Sequence, residues 1–541
     1  MNTPHKRFGA CICVWPAVSL VMFAYGAFAD AGLLGKIDFP NSGTEAAQAD
    51  FIEGMLYMHN FEYDEANAAF KRAQEIDPDF AMAYWGEAMT YHHPLWNQQT
   101  KSAAEEALMR LGRTTEDRAA KAGTQRERDY LGAVETLFGM TEASKRLPKS
   151  ERDVLYRDEM RRMHETYPDD HEATTLYGLS ILGVGSVKRD YATYMRAAAV
   201  LTEVWDASRM HPGAAHYLIH SYDDPIHAPL GLPMARAYSK IAPGAAHAQH
   251  MTSHIFVALG MWEDLVNANE IAIRVENEGR KGEGEGPLTA SHYVLWLEYG
   301  YLQQGRYTDA ERLMRAARAR LEDNPRSAER AYYGTMYARY MFDREDWSSA
   351  DAWAAPEEVT IATPNYHFAL AAGAIENGDL VAAREHMRYV TPAEGGSPEA
   401  IANAEAVQVL RKELDALFAF AQGDSEKAVA LAREALADAL SMPYKFGPPF
   451  VVKPPAELLG DVLLELGRTE EAVAAYKDQL TRTPRRANTL LGLARAAKMQ
   501  GDEVTAADAY RQLKGVWRNA DVSLDAMLEA LAEARAAVEA S

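Results

Sequence analysis

A repeat of 34 residues runs through the chain from residue 46 onward and decides what it can fold into. In its first copy Gly54, Tyr57, Ala66, Phe70, Ala73 and Pro78 occupy positions 8, 11, 20, 24, 27 and 32 of the unit. Small residues at 8 and 20 let two helices approach closely, aromatics fill the gap, and a proline at 32 ends the second helix. The spacing returns with Ala88 and Tyr91, with Val204, Ala207 and Pro212, and with Gly260, Trp262 and Ala272. In the copy ending at Pro212, Val200 stands where a small residue is preferred, so that register rests on Ala207 and Pro212. Later copies carry Gly305 with Tyr307, Ala310 and Ala317, Gly378 with Ala383, and Gly423 with Ala428 and Ala435. The last two carry Gly467 with Ala472, Tyr476 and Pro484, and Gly501 with Ala506 and Tyr510.

This pattern resembles the tetratricopeptide repeat, and the resemblance implies an all-α solenoid of about nine or ten stacked helical hairpins. No run alternates with period two for long enough to suggest a sheet. Residues 522–540 place Leu524, Met527, Leu528 and Leu531 at helical spacing, which suits a helix capping the end of the stack. Three segments interrupt the repeat. Residues 97–170, rich in Arg, Glu and Lys, predict longer, irregular helices, and residues 278–287 predict a flexible charged loop. Residues 443–455 place five prolines around Phe446 and Phe450, too many for a helix.

Lys6 and Arg7 precede an apolar stretch from Phe8 to Phe28 that closes on Ala27-Phe28-Ala29, the small-x-small pattern of a cleavage site. Residues 1–29 therefore read as a signal peptide, which predicts a periplasmic or secreted protein with no membrane span after cleavage. Cys11 and Cys13, the only cysteines, lie inside it. A metal site in the mature chain must then use His, Asp, Glu, Met or backbone ligands. Asp and Glu number 78 against 56 Lys and Arg, and the net charge of −22 excludes the electrostatics of a nucleic-acid binder. The expected organisation is a signal at 1–29, a His-rich repeat half at 30–300, and C-terminal repeats with their cap at 301–541.

Seven of the fifteen histidines after His5 crowd into residues 211–254. In the tetratricopeptide family, helix A positions 2, 5, 6, 9, 12 and 13 face the concave groove. His59 falls at 13, His92 and His93 at 12 and 13, His216 at 2, His220 at 6 and Asp223 at 9. His247, His250 and His254 fall at 2, 5 and 9, and His292 at 2; His227 is nominally at 13 but lies beyond Pro225, where the helix should have ended. Ten of the fifteen land on groove positions, where chance would place about two or three. His216 and His220, like His250 and His254, are four apart and share a helix face.

Imidazole without thiolate suits copper, zinc, iron or nickel, and copper or zinc is expected ahead of iron. The candidate metal set is His216, His220, Asp223, His247, His250 and His254, with Asp223 as a ligand or as an acceptor behind the imidazoles. His59, His92, His93, Trp96 and His292 are candidate ligand contacts along the groove, Trp96 at its mouth. Two other readings of the cluster stay open, a polar pocket for an organic or peptide ligand and a hydrogen-bonded structural network. His164, His171, His367 and His386 read as solitary core residues, His211 as a loop or cap residue, and Met251 as core packing. No phosphate loop, no nucleophile elbow and no mature thiol occurs, so an enzyme here would rest on metal chemistry, and turnover is left open.

The strings from His211 to Pro225 and from Met251 to Phe256 resemble those of a family of exported bacterial tetratricopeptide proteins, which implies the solenoid fold and no particular activity. The expected function is an exported solenoid whose His-lined groove binds a transition metal and acts on a small molecule. The alternative is a metal-free scaffold holding a peptide or partner protein, with a metal buffer as a third option.

Overall fold

The computed structural model describes residues 31–186, 189–323, 325–392 and 398–521; the expected signal at 1–29 and the expected cap at 522–540 lie outside them. The first hairpin is α1 (Gln48–His59) and α2 (Tyr63–Ile76), which fill the helix A and helix B positions that Gly54 and Pro78 define. Phe51, Ala66, Phe70 and Ala73 are buried between them.

The next helix, α3 (Ala81–Met89), stops short of His92 and His93, which form a two-residue strand, β1 (His92–His93), paired antiparallel with β2 (Gln98–Gln99). Helical positions 12 and 13 therefore do not exist in this repeat. Pro94 explains the break, because a proline disfavours the helical conformation in the residue before it. Residues 97–170 hold four separate helices, α4 (Lys101–Leu111), α5 (Thr115–Lys121), α6 (Gln125–Leu137) and α7 (Lys149–Thr166), of which only α7, at 18 residues, is long as expected. Capping boxes of Thr114 with Asp117 and of Thr124 with Glu127 start α5 and α6.

Regular hairpins follow: α8 (His171–Gly185) with α9 (Tyr191–Ala207), α10 (Pro212–Tyr222) with α11 (Ala228–Ile241), α12 (Ala246–Ala258) with α13 (Trp262–Gly282), and α14 (His292–Gln303) with α15 (Tyr307–Leu321). The charged stretch at 278–287 is only partly a loop, since α13 continues through its first half. A long α16 (Ser327–Arg344) and a one-turn α17 (Ala350–Trp353) precede α18 (Pro364–Glu376) with α19 (Leu380–Met387) and α20 (Pro398–Ala421) with α21 (Ser425–Ser441). Residues 442–454 are non-helical, as their prolines require. Pro455 opens α22 (Pro455–Glu465) at the first helical position, and α23 (Thr469–Arg482), α24 (Ala487–Gln500) and α25 (Glu503–Val516) complete the described chain. The fold is an all-α solenoid of tetratricopeptide-type hairpins, and no helix among the described residues is long and apolar enough to cross a membrane.

Two features shape its interior. The turn between the helices of a repeat uses a left-handed residue, glycine at Gly260 (φ 62°) and Gly305 (φ 65°), but the first repeat places Phe61 (φ 57°) there. The solenoid also closes on itself. The Trp262 indole donates to the Arg485 carbonyl at 2.9 Å and the Trp517 indole to the Gln303 carbonyl at 3.1 Å. A Cβ on Gly260 would meet the Pro484 carbonyl at 2.2 Å, so only glycine lets the two ends of this clasp touch. At its centre the Arg486 guanidinium, fully buried, bonds Glu457 at 2.8 Å and Asp343 at 2.5 Å.

Candidate metal centre

Helices α10, α12 and α14 open three successive hairpins, so side chains on their facing sides share one surface. Pro212 starts α10 and Ser291 caps α14 by accepting from Val294. These helix starts set where His216, His220, His247, His250, His254 and His292 stand. The structure brings all six together. The ligand nitrogens of His216, His220 and His247 lie within 4.8 Å of one another, and those of His250, His254 and His292 do the same.

The partners behind the rings decide which nitrogen is free. The Nδ1–H of His216 donates to the His59 carbonyl at 2.7 Å, and that of His254 to Asp223 at 3.0 Å. His250 Nδ1 donates to the Asn269 side-chain oxygen at 2.7 Å, an orientation fixed because the Asn269 amide nitrogen donates to the Leu265 carbonyl at 2.9 Å. A ring protonated on Nδ1 carries its lone pair on Nε2. The Nε2 atoms of His216, His220 and His247 are buried with no hydrogen-bond partner. Nε2 of His250 faces Nε2 of His292 at 3.0 Å, near the ligand spacing of about 3.3 Å that a tetrahedral ion with bonds of about 2.0 Å imposes.

Burial keeps His216, His247, His250, His254 and His292 neutral. It drives His216, His247 and His250 well below the ordinary histidine range, holds His254 at about 4 against the pull of Asp223, and, with the charge of Arg339, holds His292 at about 3. Asp223 stands behind the rings. Burial alone would raise its carboxyl, but Arg189 at 2.5 Å and the hydrogen bonds from His220 and His254 hold it well below the ordinary range.

Aromatic walls enclose the cluster. The His254 ring is stacked between Trp296 (4.6 Å) and Phe446 (4.9 Å), and Phe61 meets the His216 ring edge-on at 4.3 Å. Phe446 belongs to the proline-rich stretch, which Arg339 holds by donating to the Pro449 carbonyl at 3.2 Å. A Cβ on Gly447 would lie 2.5 Å from the Trp296 ring, so glycine is what lets the loop come down onto the site. Trp96 and Phe446 at the cluster are 41% and 40% exposed, Trp96 packing against His247 at 6.1 Å.

The remaining candidates lie elsewhere. The His93 ring stacks on Tyr63 at 4.0 Å and donates to the Thr90 carbonyl, while His92 packs against Phe138 and Tyr156. The His59 ring turns away from the cluster and meets Glu172 at 2.7 Å and the Tyr217 hydroxyl at 3.0 Å; only its carbonyl serves the site. His211 is the cap of α10 and also bonds Glu172 at 3.0 Å, so a buried His59–Glu172–His211 group forms beside the cluster. Burial works to raise Glu172, but the two histidines outweigh it and hold the carboxyl low. His227 pairs with Asp224 at 2.9 Å, and His367 and His386, read as solitary, lie 5.8 Å apart.

The tetratricopeptide repeat family model matches residues 51–80 and 457–486. No curated protein matches the chain significantly. Among solved structures it is similar to the Cut9–Hcn1 hetero-tetramer of APC/C, at 12% identity over 92% of this chain and 78% of that one, with a TM-score of 0.32. It is similar to the human IFIT1 dimer with m7Gppp-AAAA, at 13% identity over 89% of this chain and 91% of that one, with a TM-score of 0.33. Yeast Tom70 is similar at 12% identity over 91% of this chain and 96% of that one, with a TM-score of 0.27. Likenesses this distant carry nothing about ligand or activity. The chain carries tetratricopeptide repeats near both ends of its described length, on an all-α solenoid.

Proposed function

We propose that the protein is a helical-repeat metalloprotein whose six-imidazole cluster binds a transition metal, copper or zinc, and acts on a small molecule entering between Trp96 and Phe446. The supporting observation is the placement of the ring nitrogens: Nδ1 of His216, His250 and His254 is tied to a carbonyl, an amide oxygen and a carboxylate, and the buried Nε2 atoms of His216, His220 and His247 have no hydrogen-bond partner. Leaving several buried acceptors without a donor costs about 1–3 kcal/mol each, and a shared ion removes that cost. A purely structural network would have paired them. An exported location, expected from residues 1–29, belongs to the same proposal.

Elemental analysis of untagged protein tests this beside a variant with His216, His220, His250 and His254 changed to Ala. Stoichiometric metal in the first and none in the folded second supports the reading; metal absent from both removes it. The repeats also support protein binding, because stacked hairpins present extended surfaces. That second reading is favoured in the C-terminal half, where a cleft of about 520 Å³ is lined by Trp347, Phe420, Lys453, Asp461, Tyr476 and Asn488. It takes first place if no metal is found.

A further inference from the structure

The six imidazoles are two copies of one construction. In each, two histidines four apart on one helix are joined by a third from the start of the next repeat's first helix: His216 and His220 of α10 with His247 of α12, then His250 and His254 of α12 with His292 of α14. The second copy is the first moved one hairpin along the solenoid. A tetrahedral ion with an open position takes three protein ligands at about 2.0–2.1 Å, so each copy supplies one complete set. The sets adjoin, with the His220 and His254 rings 5.4 Å apart and the His247 and His250 rings 6.1 Å apart.

Charge selects among the metals. All six ligand groups are imidazoles, which bring no negative charge to a metal, and the nearest carboxylates are already engaged. Asp223 is paired with Arg189 and accepts from His254, and Glu62 accepts the backbone N–H of His247 at 3.0 Å. A grouping of His220, Asp223 and His254 is also compact, but it would take the carboxylate oxygen that holds the His254 Nδ1–H. Two divalent ions would bring four positive charges into this interior with no anionic ligand, whereas two monovalent ions bring half as many. Among metals that imidazole serves, copper has a stable monovalent state.

We infer that the cluster holds two monovalent copper ions side by side, one on His216, His220 and His247 and the other on His250, His254 and His292. This rests on the metal-binding reading above. Each ion keeps a position open to a small exogenous ligand.

The test is anaerobic titration of the full chain with Cu(I) against a chromophoric chelator, with His247→Gln and His292→Gln in parallel and folding followed by circular dichroism. Two equivalents bind the native chain and one binds each variant. A single equivalent, abolished by either variant, overturns the two-ion assignment but leaves a metal site. Two equivalents of Zn(II) with none of Cu(I) overturn the copper assignment, and no metal of any kind overturns the metal reading itself. If a variant fails to fold, X-ray absorption on the loaded native chain decides: a three-nitrogen shell with a copper–copper vector supports the inference, and a shell without that vector overturns it.

Discussion

Nε2 of His250 and Nε2 of His292, from α12 and α14, stand 3.0 Å apart. Because Asn269 takes the Nδ1–H of His250, the two nitrogens can share a proton only if His292 supplies it. An ion between them removes that requirement. The Asn269 oxygen is therefore the lever on this half of the cluster. Asn269→Leu frees the His250 ring to turn or change tautomer, and metal affinity falls by about 10- to 100-fold. Chelator competition reads this, and an unchanged affinity would separate Asn269 from the site.

Asp223 and Arg189 form a second lever. Asp223→Asn leaves the Arg189 side chain, 6% exposed, only its longer 3.9 Å contact with Asp224, at a cost of up to about 3 kcal/mol, and removes the carboxylate acceptor of His254. Arg189→Met added to Asp223→Asn recovers much of the stability without restoring metal affinity. Urea denaturation and chelator competition, run on both proteins, should part company; if they move together, Asp223 acts only through the ion pair.

Acid acts on the metal-free protein through His254. Burial holds this imidazole at about 4 in the fold against an unfolded value near 6.5, so the unfolded chain binds the proton first as pH falls. Stability is complete above about 6.5 and drops between about 6.5 and 4, by on the order of 3 kcal/mol for this group alone. His254→Gln flattens that part of the profile. Denaturant midpoints at pH 7, 5.5 and 4 measure it, and an equal slope in the variant would assign the loss to other groups.

Phe61 exchanges backbone strain for a wall. Its left-handed φ of 57° costs about 1–2 kcal/mol, while its ring, 7% exposed, meets the His216 ring at 4.3 Å and His247 at 5.7 Å. Phe61→Gly relieves the first and loses the second, and a large-to-small change in a core costs about 3–5 kcal/mol. The net expectation is a loss of about 1–4 kcal/mol with faster metal release to chelator, read by denaturation and stopped-flow transfer. A more stable protein with slower release would refute the role of the ring.

The repeat made the first hairpin and the approach of His216, His220, His247, His250 and His254 legible, because helical period and repeat length together fix a side chain's face, whereas His292, read as a separate groove contact, joins His250 and His254. It misplaced His92 and His93, where Pro94 outweighs periodicity. Thr114 with Asp117 and Thr124 with Glu127 were visible starts for α5 and α6 that composition alone had blurred. Asn269, Arg189 and Glu172 were not legible. Each acts through a contact set by how neighbouring hairpins pack, and no short motif marks it. Phe446 was conspicuous among its prolines, but its destination depends on how the solenoid curves back.

That curvature gives the protein an order of assembly. All six histidines lie between α10 and α14, yet the lid residue Phe446 and the clasp at Pro484, Arg485 and Arg486 come far later in the chain. During synthesis, the N-terminal hairpins can pack while the ring is still open. Contacts between such distant segments are slow to form, since long loops must close before they stabilise anything. The helices that carry the cluster thus leave the ribosome before the residues that cover it, and the cluster is least obstructed until the last repeats dock.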